Sequence, residues 1–128
     1  MSIADGRGPR AAAAPEGQTF AGPSAFVRYA NLVKLPHTVF ALPFALVGTT
    51  MASRVAPVRL ADVAWIVVAF TCARFAAMGF NRIVDRDIDA RNPRTAAREI
   101  PAGAIGVRGA GGAVTLASLL FVLAAWRL

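Results

Sequence analysis

Three stretches of this chain are too long and too poor in charge to form the core of a small soluble domain. Residues 35–53 contain no Asp, Glu, Lys or Arg, residues 63–81 contain only Arg74, and residues 109–126 contain none. As helices, at 1.5 Å per residue, each reaches about 27–29 Å, close to the roughly 30 Å of a bilayer's hydrocarbon core. Transmembrane strands would need alternating polar and apolar positions, and no such alternation occurs. Charged residues make up 16% of the sequence, against about 25% in soluble domains. The expected fold is therefore all-α integral membrane, with three transmembrane helices over about residues 35–53, 63–88 and 109–127. Pro43 falls inside the first and should kink it. Residues 24–34 suit a short interfacial helix, because Phe26, Tyr29 and Val33 share a face beside Arg28 and Lys34. Residues 1–23, rich in Gly, Ala and Pro, read as a disordered tail, leaving 24–128 as the membrane domain.

Charge and cysteine content remove other classes. Cys72 is the lone cysteine and His37 the lone histidine, so a disulfide framework or structural zinc site is not expected. The net charge of +7 would suggest nucleic acid in a soluble protein. Here the basic residues lie between apolar runs, where they set topology, and no nucleic-acid partner is expected. Arg7, Arg10, Arg28 and Lys34 precede the first run. Arg54 and Arg59 lie in the first connection. Arg82, Arg86, Arg91, Arg94, Arg98 and Arg108 lie in the second. This alternation puts the amino terminus and the second connection on the cytoplasmic side. Trp65 and Trp126 then belong at the outer interface.

The chemistry concentrates between Arg74 and Gly103. Asn81, Asp85 and Asp89 are spaced four residues apart, so each step turns only about 40° and the three share a helical stripe. Neighbouring carboxylates repel and call for a cation between them. A hard ion such as Mg²⁺ suits them, since it takes a few carboxylates together with phosphate oxygens. Asp87 points to the far side, towards solvent or a neighbouring Arg. Arg74, seven residues before Asn81, lies deeper on the same face, and an intramembrane Arg is a functional candidate. Arg91, Arg94 and Arg98 follow beyond an expected turn at Asn92-Pro93 and could grip phosphate bidentately. Together these groups suit a diphosphate carrying an apolar tail. Mixed charges at a helix end can also do no more than solubilise it.

The segment FNRIVDRDIDARNPRTAAREIPAG (residues 80–103) resembles the first aspartate-rich motif, N-x₃-D-x₃-D, and the following R-T-x₂-R element of the UbiA-type intramembrane prenyltransferases. It is especially similar to bacterial members acting on aromatic acids in quinone synthesis, the 4-hydroxybenzoate polyprenyltransferase-like group. KLPHTVFALPFALVG (residues 34–48) resembles their first transmembrane helix. The resemblance implies an enzyme of the bacterial cytoplasmic (inner) membrane that moves a polyprenyl group from polyprenyl diphosphate to an aromatic acid in ubiquinone or menaquinone biosynthesis. It implies Asn81, Asp85 and Asp89 as Mg²⁺ ligands, with Asp85 and Asp89 the catalytic pair. Asn81, Arg74, Arg94 and Arg98 would bind diphosphate. Metal and arginines would stabilise the departing diphosphate while an allylic carbocation attacks a ring carbon.

Two departures accompany the likeness. Arg82 stands where many relatives carry Asp. Relatives also have about nine transmembrane helices and a second aspartate-rich motif. The remaining acidic residues, Asp5, Glu16, Asp62 and Glu99, form no second pair, so the chain reads as an amino-terminal fragment, inactive alone, with the remainder of the enzyme missing. The alternative is a small non-catalytic three-helix membrane protein whose acidic and basic loop binds lipid phosphates or a partner. A soluble diphosphate synthase is excluded by the spans and by the lack of D-D-x-x-D. Arg28 and Lys34 could bind an aromatic carboxylate or serve as snorkelling anchors. His37 and Cys72 read as packing residues, and Gly79, Gly111 and Gly112 as points of close helix approach.

Overall fold

The computed structural model describes residues 19–128. Most of the expected tail, residues 1–18, lies outside the described residues. The described residues are all helix, turn and loop, without a strand. Helix α1 spans Ala25–Leu32, α2 Leu35–Ala52, α3 Leu60–Val84, α4 Arg86–Arg91 and α5 Val107–Arg127. Helices α2, α3 and α5 are each long and apolar enough to cross a membrane. At 1.5 Å per residue they reach about 27, 37 and 31 Å.

Local chemistry sets the boundaries. The Ser24 hydroxyl accepts from the Val27 N–H and caps α1. Lys34 then breaks the chain direction in the left-handed region, at φ 50° and ψ 61°. Pro36 follows in the first turn of α2, where its missing N–H costs nothing. Helix α2 continues through Pro43 as one helix, although the proline leaves the Val39 carbonyl without its helical donor. Asp62 accepts from the Arg59 N–H at 2.8 Å and starts α3. That start is three residues earlier than the apolar pattern alone predicts, because a charged first turn still sits at the interface.

Helices α3 and α5 run antiparallel as the tightest pair. Arg127 at the end of α5 stacks over the Trp65 ring near the start of α3, at 5.9 Å. At the seam's other half, a Cβ added to Gly79 would lie 2.6 Å from the Val114 side chain. Ala110, Ala117 and Ala124, each seven residues apart on α5, are buried along this seam. Small residues let the backbones approach, the usual way of packing helices in lipid. Gly111 and Gly112 do not share this role: a Cβ on either meets nothing within 4 Å. They lie on the helix faces turned away from the Ala110–Ala117–Ala124 line.

The buried core lies at one end of the bundle. Leu32 and Val33 at the α1–α2 junction pack with Ile100 and Ile105 of the loop and Ala110 of α5. Tyr29, Phe75, Met78 and Ile83 close over them. The Tyr29 and Phe75 rings stack at 6.4 Å, and Arg28 donates to the Ala104 carbonyl at 3.3 Å. The long helices, by contrast, turn Phe40, Phe44, Leu116, Leu119 and Val122 outward, as a lipid-facing surface does. The buried apolar cluster thus lies at the end that carries the Asp- and Arg-rich segment.

Replacing Gly79 by Leu should push α3 and α5 apart and cost about 1–3 kcal/mol, the usual penalty for overpacking. Gly48→Ala, which enters open space inside α2, should hold or raise stability by up to about 1 kcal/mol. Thermal unfolding of the two variants in one detergent checks both.

Candidate functional site

The Asp-rich stretch is nearly, but not wholly, one helix. Helix α3 stops at Val84, and Asp85 joins it to α4 with φ −81° and ψ 0°. The four-residue hydrogen bonds still run through this joint: Asp85 N–H to the Asn81 carbonyl at 2.9 Å, and Asp89 N–H to the Asp85 carbonyl at 2.8 Å. Asn81, Asp85 and Asp89 therefore occupy successive turns. They do not share one environment: Asn81 is exposed, Asp85 half-buried and Asp89 buried. The reason is cumulative rotation, since two steps of about 40° separate Asn81 from Asp89 by about 80°. Asp87 turns away to solvent and pairs with its neighbour Arg86 at 3.6 Å.

Asp89 is the anchor of the site. Its Oδ1 accepts from Arg98 Nη1 at 2.7 Å, and its Oδ2 faces Arg82 Nη1 at 3.9 Å. The Asp89 and Arg82 side chains are each only 9% exposed. A carboxylate so buried is tenable only with cationic partners. The 3.9 Å gap is beyond hydrogen-bond reach. Accordingly Asp89 Oδ2 and Arg82 Nε are both buried without a hydrogen-bond partner.

The loop that supplies Arg98 is held by its own turns. Asn92 ends α4 with an extended backbone, and its Oδ1 accepts from the Arg94 N–H at 3.0 Å. Thr95 donates its hydroxyl to the Asp89 carbonyl at 2.9 Å. Arg98 N–H reaches the Thr95 carbonyl, and Ile105 N–H returns to the Glu99 carbonyl at 2.9 Å. Ile100 and Ile105 pin the loop into the core.

Between this loop and the α1–α2 junction lies a hollow of about 420 Å³, lined by Asn31, Lys34, Arg82, Asn92, Arg94, Thr95, Arg98 and Glu99. Several of its polar groups are already engaged. The Asn31 amide accepts from the Thr19 and Phe20 N–H groups and donates to the Phe20 carbonyl. Four cationic side chains remain, offset by Asp89 and the buried Glu99. The surplus of two positive charges suits an oxyanion. Lys34 reaches this hollow from its left-handed backbone position, a conformation costing about 1–3 kcal/mol for a residue with a Cβ.

Arg94 and Arg98 thus meet at the hollow, with Asp89 directly behind Arg98. Arg74 is not among the lining residues. It sits two turns deeper in α3, with its Nε buried and unpartnered. Lys34, Arg82 and Glu99 belong to the hollow although the stripe of acidic residues does not point to them. Arg82 was legible in another periodicity. It stands seven residues before Asp89, about 20° from it around the helix, so the two share a face more closely than Asn81 and Asp89 do.

The donors also bear on a divalent cation. Among the described residues no three His, Cys, Asp or Glu side chains converge, so carboxylates alone do not make a closed cage. Asn81, Asp85 and Asp89 carry oxygen donors of the kind a hard ion takes, but they face different surroundings and Asp89 Oδ2 already faces Arg82 at 3.9 Å.

Fold and site define a helical integral membrane protein with an acidic stripe and a basic hollow at one mouth of its bundle. The UbiA prenyltransferase family matches residues 41–128, most of the chain, and the chain belongs to that family. No curated protein and no solved structure matches it significantly.

Replacing Asp89 by Ala should leave the buried Arg82 and the half-buried Arg98 without their shared carboxylate and destabilise the protein by about 3–5 kcal/mol. Asp87→Ala, at a side chain 73% exposed, should stay within about 0.5 kcal/mol of the parent. Urea or thermal unfolding in detergent measures the contrast.

Proposed function

We propose that this chain serves the Mg²⁺-dependent transfer of a polyprenyl group from polyprenyl diphosphate to an aromatic acid in quinone biosynthesis. The observation that carries this reading is the juxtaposition of Asp85 and Asp89 with a cationic hollow at the end of membrane-spanning helices. A diphosphate head needs the hollow's charge, and its isoprenoid tail needs the apolar helix walls.

The residues divide the work. Asn81, Asp85 and Asp89 would hold the ion, which supplies charge neutralisation to the diphosphate when bound. Arg94 and Arg98 donate N–H groups to phosphate oxygens. As the bond between the allylic carbon and the diphosphate oxygen breaks, these donors take up the growing negative charge. The allylic cation is captured by a ring carbon of the acceptor, and the ring proton leaves to restore aromaticity. Arg74, lying deeper, is proposed to face the bound donor from within the membrane.

Orientation follows from the Lys and Arg distribution. The amino terminus and the 85–106 connection are proposed to face the cytoplasm of a bacterial cell, with the 53–59 connection outside. In a Cys72→Ser background, Arg91→Cys should react with a membrane-impermeant maleimide only from the cytoplasmic side. Val55→Cys, at a fully open position, should react only from outside. The reverse pattern would overturn the orientation.

Binding tests the reading itself. Titrating the purified chain with farnesyl diphosphate should show at least about tenfold tighter binding in Mg²⁺ than in EDTA, the scale of one or two charge-assisted contacts. Asp85→Ala should abolish that gain. Equal affinity with and without Mg²⁺ in the parent would refute the metal-assisted reading.

A further inference from the structure

We propose that α1 and the segment before it form a lipid anchor, which docks on the anionic phospholipid of the leaflet at the mouth of the bundle. The anchor stands apart from the prenyl-transfer reading and does not depend on it. Phe26, Tyr29 and Val33 share one helical stripe. Tyr29 stacks on Phe75 and Val33 joins the buried cluster, but Phe26 is left 74% exposed. The stripe therefore runs out of the protein core and continues as an uncovered phenyl. Tyr29 also abuts the first turn of α5, since a Cβ added to Gly109 would lie 3.2 Å from its hydroxyl. Helix α2 begins at Leu35, close after the end of α1 at Leu32. Helix α1 is thus held at the level where α2 and α5 enter the membrane. Val107, the first residue of α5, is exposed there as well, so the uncovered phenyl adjoins the lipid-facing surface of the spanning helices.

A second observation concerns Asn31, whose side chain is buried. Its amide accepts from the Thr19 N–H at 3.0 Å and the Phe20 N–H at 2.9 Å, and donates to the Phe20 carbonyl at 2.9 Å. These bonds all go to the chain that precedes α1, and they hold the exposed Phe20 beside the helix. Two outward phenyls are therefore carried on a fixed frame. The charges give the chemistry of the partner. Arg28 donates to the Ala104 carbonyl through Nη1 and Arg108 lies in the first turn of α5, and both residues are exposed. Among the described residues the ion pairs are made by Arg59, Arg82, Arg86 and Arg98, which leaves Arg28 and Arg108 without a carboxylate. Aromatic rings at headgroup level with arginines beside them are the composition of an interfacial anchor. Arginines free of carboxylates favour anionic over zwitterionic headgroups.

The test uses the full chain in nanodiscs, with a nitroxide at Ala25→Cys in a Cys72→Ser background. Residue 25 is exposed and next to Phe26. The line shape separates bilayer-bound from free label, and a water-soluble nickel chelate should relax only the free component. The ratio of bound to free label should rise at least about fivefold from phosphatidylcholine to a phosphatidylcholine–phosphatidylglycerol mixture, the effect of one basic residue at an anionic surface. Arg28→Gln with Arg108→Gln should remove that rise. Phe26→Ser should move the label to the free component in both lipids, and Phe20→Ser should do so in part. Arg59→Gln, at the opposite end of the bundle, should leave the rise intact. All these substitutions fall on exposed residues, so the fold is expected to survive them. A label equally bound in the two lipids, a rise that outlasts the double arginine substitution, or docking unchanged in Phe26→Ser overturns the proposal.

Discussion

A single buried carboxylate organises the working end of this molecule. Asp89 lies at the membrane mouth, where an unpaired charge would be untenable. Its 2.7 Å contact with Arg98 folds the loop back onto the helix that carries the acidic stripe. Thr95 reinforces the same closure through the Asp89 carbonyl. The hollow exists because this closure brings loop arginines opposite the α1–α2 junction. Arg82 completes the electrostatic balance from α3 itself, without a hydrogen bond to the carboxylate it faces.

The bilayer explains why the buried cluster is concentrated there. In lipid, apolar surface need not be buried against protein, so α2, α3 and α5 leave large side chains facing outward. Among the long helices α3 and α5 approach most closely, at Gly79 against Val114. The compact cluster of Leu32, Val33, Ile100, Ile105 and Ala110 forms instead beneath the loop. It fixes the segments that supply Lys34 and Arg98. Placing a buried apolar cluster under the polar site is how a small membrane chain can hold charged side chains in defined positions.

Much of this was legible in the sequence. Uncharged runs of sufficient length mark the spanning helices, because backbone satisfaction in lipid permits little else. The amphipathic pattern of Phe26, Tyr29 and Val33 marks α1, and the crowding of Asp and Arg after Asn81 marks the functional end. Other features were not readable from spacing alone. The stripe of Asn81, Asp85 and Asp89 rotates as it climbs, so an exposed amide and a buried carboxylate share one motif. Gly111 and Gly112 resemble packing residues but fall on open faces, since helical phase and not residue type decides contact. Arg74 has the right periodicity yet lies too deep to line the hollow. Lys34 owes its place to a backbone conformation that no propensity of lysine suggests. Pairings such as Asp89 with Arg98, nine residues on, depend on how a loop closes, and sequence spacing does not encode that.

The central claim is that the acidic stripe and a diphosphate share one divalent ion at this mouth. Substituting Mn²⁺ for Mg²⁺ makes the shared ion visible to electron–nuclear double resonance. With farnesyl diphosphate bound, the parent chain should show ³¹P couplings to Mn²⁺, and Asp85→Asn should lose them. Mn²⁺ bound to the chain without any ³¹P coupling, or coupling unchanged in Asp85→Asn, would contradict it.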